Sequence, residues 1–201
     1  MDDDLQQKLA TAVWIARSLF DRGRTTGSTA NFSFKHKGKI YITASGTCFG
    51  SLTVASFVNA AGEDVQLSGL SPSKELPLHK ILFAKSDSIQ AVIHTHSFYS
   101  TLWSCLTHEN TADIVPAYTP YLRMKVGTIG LIPYAKPGSQ ELFDAFAARV
   151  NLSDGYLLQN HGLAVGGNSL MDAFFAAEEL EESVKLAWHL RNEAASMIQR
   201  H

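Results

Sequence analysis

The sequence predicts an α/β fold: one mixed sheet in a single domain, with helices on both of its faces. Three observations support this reading. Residues 4–22 and 169–200 place apolar side chains at helical spacing. Short runs such as 31–34, 40–43 and 90–96 alternate, or stay apolar, as strands do. Strands and helices interleave without the regular repeat of a βαβ protein. The 201 residues suffice for one domain with a substantial core, and we take 1–201 as that domain. A composition of 45% hydrophobic and 18% charged residues is that of an ordinary globular protein.

In the first helix Leu5, Leu9, Val13, Ile15, Ala16, Leu19 and Phe20 recur on one side, and Gly23 ends it. TTGSTANFSFKHKGKIYIT reads as a hairpin that turns at HKGK. The small-residue turn ASGTCFG follows, and residues 52–69 read as short strands with a loop at AAGED. SPSKE, at 71–75, opens a helix that runs through Phe83, with a proline early in it. QAVIHTH is a strand and SFYSTLWSCL a helix. TADIVPAYTPYLRMKV reads as an irregular segment leading to TIGLIPYAKPGS. A helix covers 139–150, GYLLQNHGLAVGG is a hairpin, and one long helix spans 169–200. In that last helix Ala173, Phe174, Ala177, Leu180, Val184 and Trp188 form the apolar stripe, and Glu178, Glu179, Glu181 and Glu182 the wet face.

Charge and composition exclude several partners. A net charge of −2 supplies no basic field for nucleic acid, although a phosphorylated substrate needs only a local site. The acidic start MDDDLQQKLA is unlike a signal peptide. No apolar run reaches the roughly 18 residues that a membrane span needs. Cys48 and Cys105 form no CxxC pair and read as reduced thiols of a cytoplasmic protein. Neither a Walker loop nor GxGxxG is present, so nothing points to a nucleotide.

The chemistry concentrates on three histidines. His94 and His96 end the apolar run AVIHTH, and side chains two apart on a strand share a face. His161, in LLQNHG, supplies a third imidazole. Three such nitrogens suit zinc and leave room for a carboxylate and a substrate carbonyl that the metal would polarise. Glu75 is either a ligand and general acid/base or a helix-start glutamate that complements the dipole. Three small-residue segments, 27–31 (GSTAN), 45–47 (SGT) and 71–74 (SPSK), offer hydroxyls and backbone N–H groups for a phosphate, and Lys74 adds a charge. His36, His79, His108, His189 and His201 are isolated and read as surface or satisfied, partly buried residues.

The ordered set G-S-x-x-N-x-S, T-x-S-G, P-S-K-E, H-T-H and N-H-G, closed by a glutamate-rich helix, resembles the class II aldolase/adducin family along nearly the whole chain. The resemblance implies an α/β/α fold around a mainly antiparallel sheet, a homotetramer, and one zinc per subunit held by His94, His96 and His161. It makes Glu75 both zinc neighbour and acid/base, and maps the phosphate pocket onto Asn31, Ser45, Gly46, Ser73 and Lys74. Ala30 stands where many members have glycine. GTCFGSL, LSGLSPSKE, HSFYSTLWSCL and YTPYLRMKVG resemble the 3-oxo-tetronate 4-phosphate decarboxylase branch, in which Lys74 replaces a serine common in the aldolases. That branch implies loss of CO2 through a zinc-stabilised enediolate to give dihydroxyacetone phosphate. Tyr121 lies in the region that supplies a proton-donating tyrosine in the aldolases, often to a neighbouring subunit; a core or interface aromatic is the other reading.

Three alternatives remain at this point. The same zinc chemistry serves a fuculose-phosphate type aldolase or a ribulose-phosphate 4-epimerase. A non-catalytic module like the adducin heads would not need the complete histidine set. A zinc hydrolase would leave the phosphate-like segments without a purpose. Manganese and cobalt also suit three imidazoles.

Overall fold

The alternating run near residue 31 folds into the hairpin of β1 (Asn31–His36) and β2 (Lys39–Thr43) in the computed structural model, which describes residues 2–61 and 69–198. Lys37 and Gly38 make the turn, with φ of 47° and 76°; two positive φ values match the right-handed twist of the flanking strands. The other strands are β3 (Phe57–Asn59), β4 (Ala91–Thr95), β5 (Ile129–Ile132), β6 (Gly155–Leu158) and β7 (Gly162–Gly167). They form one seven-stranded sheet in the order β3-β2-β1-β4-β7-β6-β5. Every neighbouring pair is antiparallel except β5 with β6.

Among the described residues, six helices cover the sheet: α1 (Asp3–Asp21), α2 (Leu76–Lys85), α3 (Phe98–Ser104), α4 (Pro120–Lys125), α5 (Gln140–Arg149) and α6 (Leu170–Leu190). On one face α2 and α5 bury Leu78, Leu82 and Phe146 against Val92 and Tyr156. On the other, α1, α3 and α6 bury Leu19, Trp103 and Leu180 against Phe32, Phe34 and Ile93. The expected α/β/α layering around a mainly antiparallel sheet is therefore present. The central strand β4 is covered on both sides, and all five of its residues are buried. That explains why it reads as a continuous apolar run rather than an alternating one.

The structure corrects four expectations. The segment expected to be irregular contains α4, a six-residue helix with Thr119 at its N-cap and Pro120 in its first turn. The last helix ends at Leu190 instead of continuing to 200, and Ile198 instead donates its backbone N–H to the Ala117 carbonyl. Residues 49–51 and 54–56 are single 3-10 turns, and β3 is the strand described within 52–61. Glu181 is not on the wet face of α6: it is 2% exposed. Its carboxylate accepts from the Ser97 and Ser100 hydroxyls at 2.8 and 2.7 Å and from the Tyr99 and Ser100 N–H groups at 2.9 and 2.8 Å. It thus satisfies the orphan donors that start α3. The rest of AAGED beyond Ala61, the expected helix end at 199–200 and His201 lie outside the described residues.

Among the described residues, no helix is long and apolar enough to cross a membrane. Cys48 and Cys105 are both free thiols.

Candidate metal centre

Strand pairing brings the histidines together. Asn31 on β1 stands opposite His94 on β4, which stands opposite Ala164 on β7. His96 lies one residue past the end of β4, and His161 sits in the turn from β6 to β7. The residues on either side of His161 in the N-H-G turn each have a physical reason. Asn160 has φ of 56°, a left-handed conformation that asparagine tolerates. A Cβ on Gly162 would come within 2.3 Å of the Thr95 carbonyl oxygen, so β7 reaches β4 there only without a side chain. Gly162→Ala should therefore displace the turn and lower thermal stability by about 1–3 kcal/mol, with weaker metal retention. A metal titration and a melting curve check this, and an unchanged pair of values would contradict it.

The three imidazoles face one another. Their ring centroids are 4.6–5.0 Å apart with planes 73–77° from parallel. One ring nitrogen from each lies within 4.8 Å of the others. His94 Nδ1 donates to the Leu163 carbonyl at 2.7 Å, which leaves Nε2 as its bare donor atom, 3.0 Å from His96 Nε2. Among the described residues, neither ring nitrogen of His161 has a hydrogen-bond partner, although both are buried. Burial, followed by the repulsion of His94, lowers His96 to about 3 and His161 to about 4. Both are therefore neutral at pH 7, with lone pairs available.

Glu75 completes the set. It is the N-cap residue of α2, yet its side chain does not cap that helix. Oε2 lies 3.2 Å from His94 Nε2, and Oε1 lies 3.4 Å from His161 Nε2. Burial pushes the Glu75 carboxyl upward, but the fields of His94 and His161 and a hydrogen bond from Asn31 outweigh it and leave it lowered. Oε1 is buried without a hydrogen-bond partner among the described residues. Buried lone pairs with nothing to accept from are costly unless a cation or substrate meets them. A divalent metal fits this donor set.

Beside the histidines opens a cleft of about 210 Å³. Asn31, Ser45, Gly46, Ser73, Lys74 and Glu75 line it, together with His96 and His161. The residues expected to hold phosphate thus share one cavity with Glu75, His96 and His161, at the N-terminus of the ten-residue α2. Tyr121 does not line this cleft; it lies on α4, 56% exposed. A larger groove of about 980 Å³ runs between Asp113 and Ile198 but does not include the histidines, so donor chemistry rather than size marks the site. His79 is a residue that the sequence reading missed. It is completely buried, not near the surface, and hydrogen-bonds to Ser33 and Asn31.

A sheet of this topology, with three histidines and a carboxylate clustered at the end of its central strand, is the architecture of a known family. The model of the class II aldolase and adducin N-terminal domain matches residues 10–188, and the chain belongs to this family. It is 37% identical over 177 residues to the 3-oxo-tetronate 4-phosphate decarboxylase of Escherichia coli K12, covering 88% of this chain and 84% of that one. It is 34% identical over 172 residues to the L-fuculose phosphate aldolase of Methanocaldococcus jannaschii, covering 86% and 91%. Among solved structures, Escherichia coli YgbL, described as an aldolase, epimerase or decarboxylase, superposes with a TM-score of 0.90 at 33% identity, covering 97% of this chain and 95% of that one.

Proposed function

We propose that the chain is a metal-dependent carboxy-lyase that converts 3-oxo-tetronate 4-phosphate to dihydroxyacetone phosphate and CO2. The observation that carries this reading is the cluster of three imidazoles, His94, His96 and His161, beside a cleft that Glu75, whose Oε1 has no hydrogen-bond partner among the described residues, shares with Ser45, Gly46, Ser73 and Lys74. The relatives bearing the decarboxylase name, 35–37% identical, favour CO2 loss over aldol cleavage.

His94, His96 and His161 would hold the metal, with Glu75 beside them. When bound, a zinc ion supplies Lewis-acid polarisation of the carbonyl next to the bond that breaks. The protein's own groups do the rest. Ser45, Gly46, Ser73, Lys74 and the start of α2 hold the phosphate, and this remote binding fixes the reacting end. The carboxylate carbon leaves as CO2, and its bonding pair stays on C2, conjugated with the C3 carbonyl. C2 then takes a proton to become the hydroxymethyl carbon of dihydroxyacetone phosphate. In this reading Glu75 Oε1, which has no hydrogen-bond partner among the described residues, takes that proton from water and relays it to C2. Tyr121 is the other donor in this reading. Its exposure, and its position outside the chain's own cleft, suit delivery to a neighbouring subunit of a cytoplasmic homotetramer.

The aldolase relatives keep a second reaction in view: retro-aldol cleavage of a ketose 1-phosphate at the same centre. A coupled assay separates the two. On 3-oxo-tetronate 4-phosphate, the metal-replete protein should release CO2 and dihydroxyacetone phosphate in equal amounts. A chelator should abolish both and zinc should restore them. Metal-loaded protein that releases neither, but cleaves L-fuculose 1-phosphate, would establish the aldolase instead.

A further inference from the structure

Behind the three histidines lies a chain of buried polar groups that ligand chemistry does not require. Asn31 and Ser33 are two apart on β1, so they share a face of the sheet. Glu75 and His79 are four apart at the start of α2, so they share a face of the helix. The two pairs interlock. Ser33 Oγ lies 2.6 Å from His79 Nδ1, His79 Nε2 meets Asn31 Oδ1, and Asn31 Nδ2 lies 3.0 Å from Glu75 Oε2. Ser33 and His79 are fully buried, and Asn31 is 6% exposed.

The direction of every proton in this chain follows from its end. An ionised carboxylate only accepts, so the group that Asn31 turns toward Glu75 is its NH2. Its carbonyl oxygen therefore faces His79 and requires a donor, so His79 Nε2 carries hydrogen. Burial first, then the charge of His94, lowers His79 to about 3, so the ring is neutral and Nδ1 is bare. Ser33 then donates its hydroxyl hydrogen to Nδ1. Each link has one donor and one acceptor, and each group fixes the orientation of the next.

We propose that His79 is a positioning residue for Glu75: held in its Nε2–H tautomer by Ser33, it locks the Asn31 amide with its NH2 edge toward Glu75. One hydrogen of that NH2 anchors Oε2, and Asn31 itself forms part of the cleft wall. Anchoring Oε2 leaves Oε1 as the oxygen free for proton transfer. Without the His79 donor the Asn31 carbonyl is buried unpaired, and rotating the amide to relieve it turns an oxygen against the carboxylate.

Two arms of the test need no substrate, and only the third rests on the lyase reading. In the wild-type protein, 15N-histidine NMR should show His79 as the Nε2–H tautomer; the Nδ1–H tautomer would overturn the proposal. A crystal structure of His79→Leu should show a rotated Asn31 amide and a displaced Glu75 carboxylate, while His79→Gln, which keeps an N–H at that place, should show neither. Unmoved Asn31 and Glu75 in the leucine variant would also overturn it. If the leucine variant does not fold, the tautomer measurement still decides. On 3-oxo-tetronate 4-phosphate, metal-loaded His79→Leu should lose about 10- to 100-fold in kcat with KM within about threefold of wild type, and His79→Gln should recover most of the loss. Wild-type kcat in the leucine variant would refute the proposal. A wild-type protein inactive on this substrate refutes the decarboxylase reading alone, because the tautomer and crystal arms still judge His79.

Discussion

Replacing His94 with alanine should abolish metal binding and turnover together. Three imidazoles are the minimum set here, and His94 is the one whose tautomer is locked, by its Nδ1 bond to the Leu163 carbonyl. Its loss leaves two neutral nitrogens, and His96 also loses the neighbour 3.0 Å away. A Lewis acid is worth several kcal/mol of transition-state stabilisation, so losing about 4 kcal/mol lowers CO2 release by about 10³-fold. The measurement pairs metal content per chain with product formation, and circular dichroism confirms the fold. A folded His94→Ala protein that keeps either one metal per chain or full turnover would remove the basis of the metal mechanism.

The second large effect is on stability. Glu181→Ala should cost about 3–5 kcal/mol, a large share of the roughly 5–15 kcal/mol that holds an ordinary domain together. The cause is what remains behind. Two backbone N–H groups and two hydroxyls at the start of α3 lose their acceptor inside the protein, and Arg24, 3.9 Å from Glu181 Oε1, loses a partner. Ser97 follows His96 directly, so the loosened turn should also weaken metal retention. Denaturant unfolding of wild type and variant gives the difference. A change below about 1 kcal/mol would mean that water replaces the carboxylate without difficulty.

The parts of the site that share one chain segment were legible, because a local period states which side chains lie together. The H-x-H pair shares a face by strand geometry alone. The N-H-G turn carries its own requirements for a left-handed residue and for a missing Cβ. Glu181 and His79 were not legible for the opposite reason. Helical spacing places Glu181 beside Glu182 on the polar side of α6, but only docking of the short α3 converts that position into a buried cap. His79 is isolated in the sequence. The hidden signal was two coincident periods, Glu75 to His79 on a helix and Asn31 to Ser33 on a strand, and it acquires meaning only when β1 lies under α2. The helix α4 is too short for any period to show, although Thr119 and Pro120 marked its start. The last helix stops at Leu190, where its apolar stripe runs out after Trp188.

The donor set is drawn from three distant stretches of chain, and its last member waits on the turn between β6 and β7. During synthesis, His94 and His96 leave the ribosome long before their third companion. They can be aligned with it only after β7 has zipped against β4. While residues 97–160 are made, a new chain therefore offers two of the three imidazoles, and the full set comes together only when the sheet is finished. A metal held by all three imidazoles would then be retained firmly only by molecules in which β7 already pairs with β4.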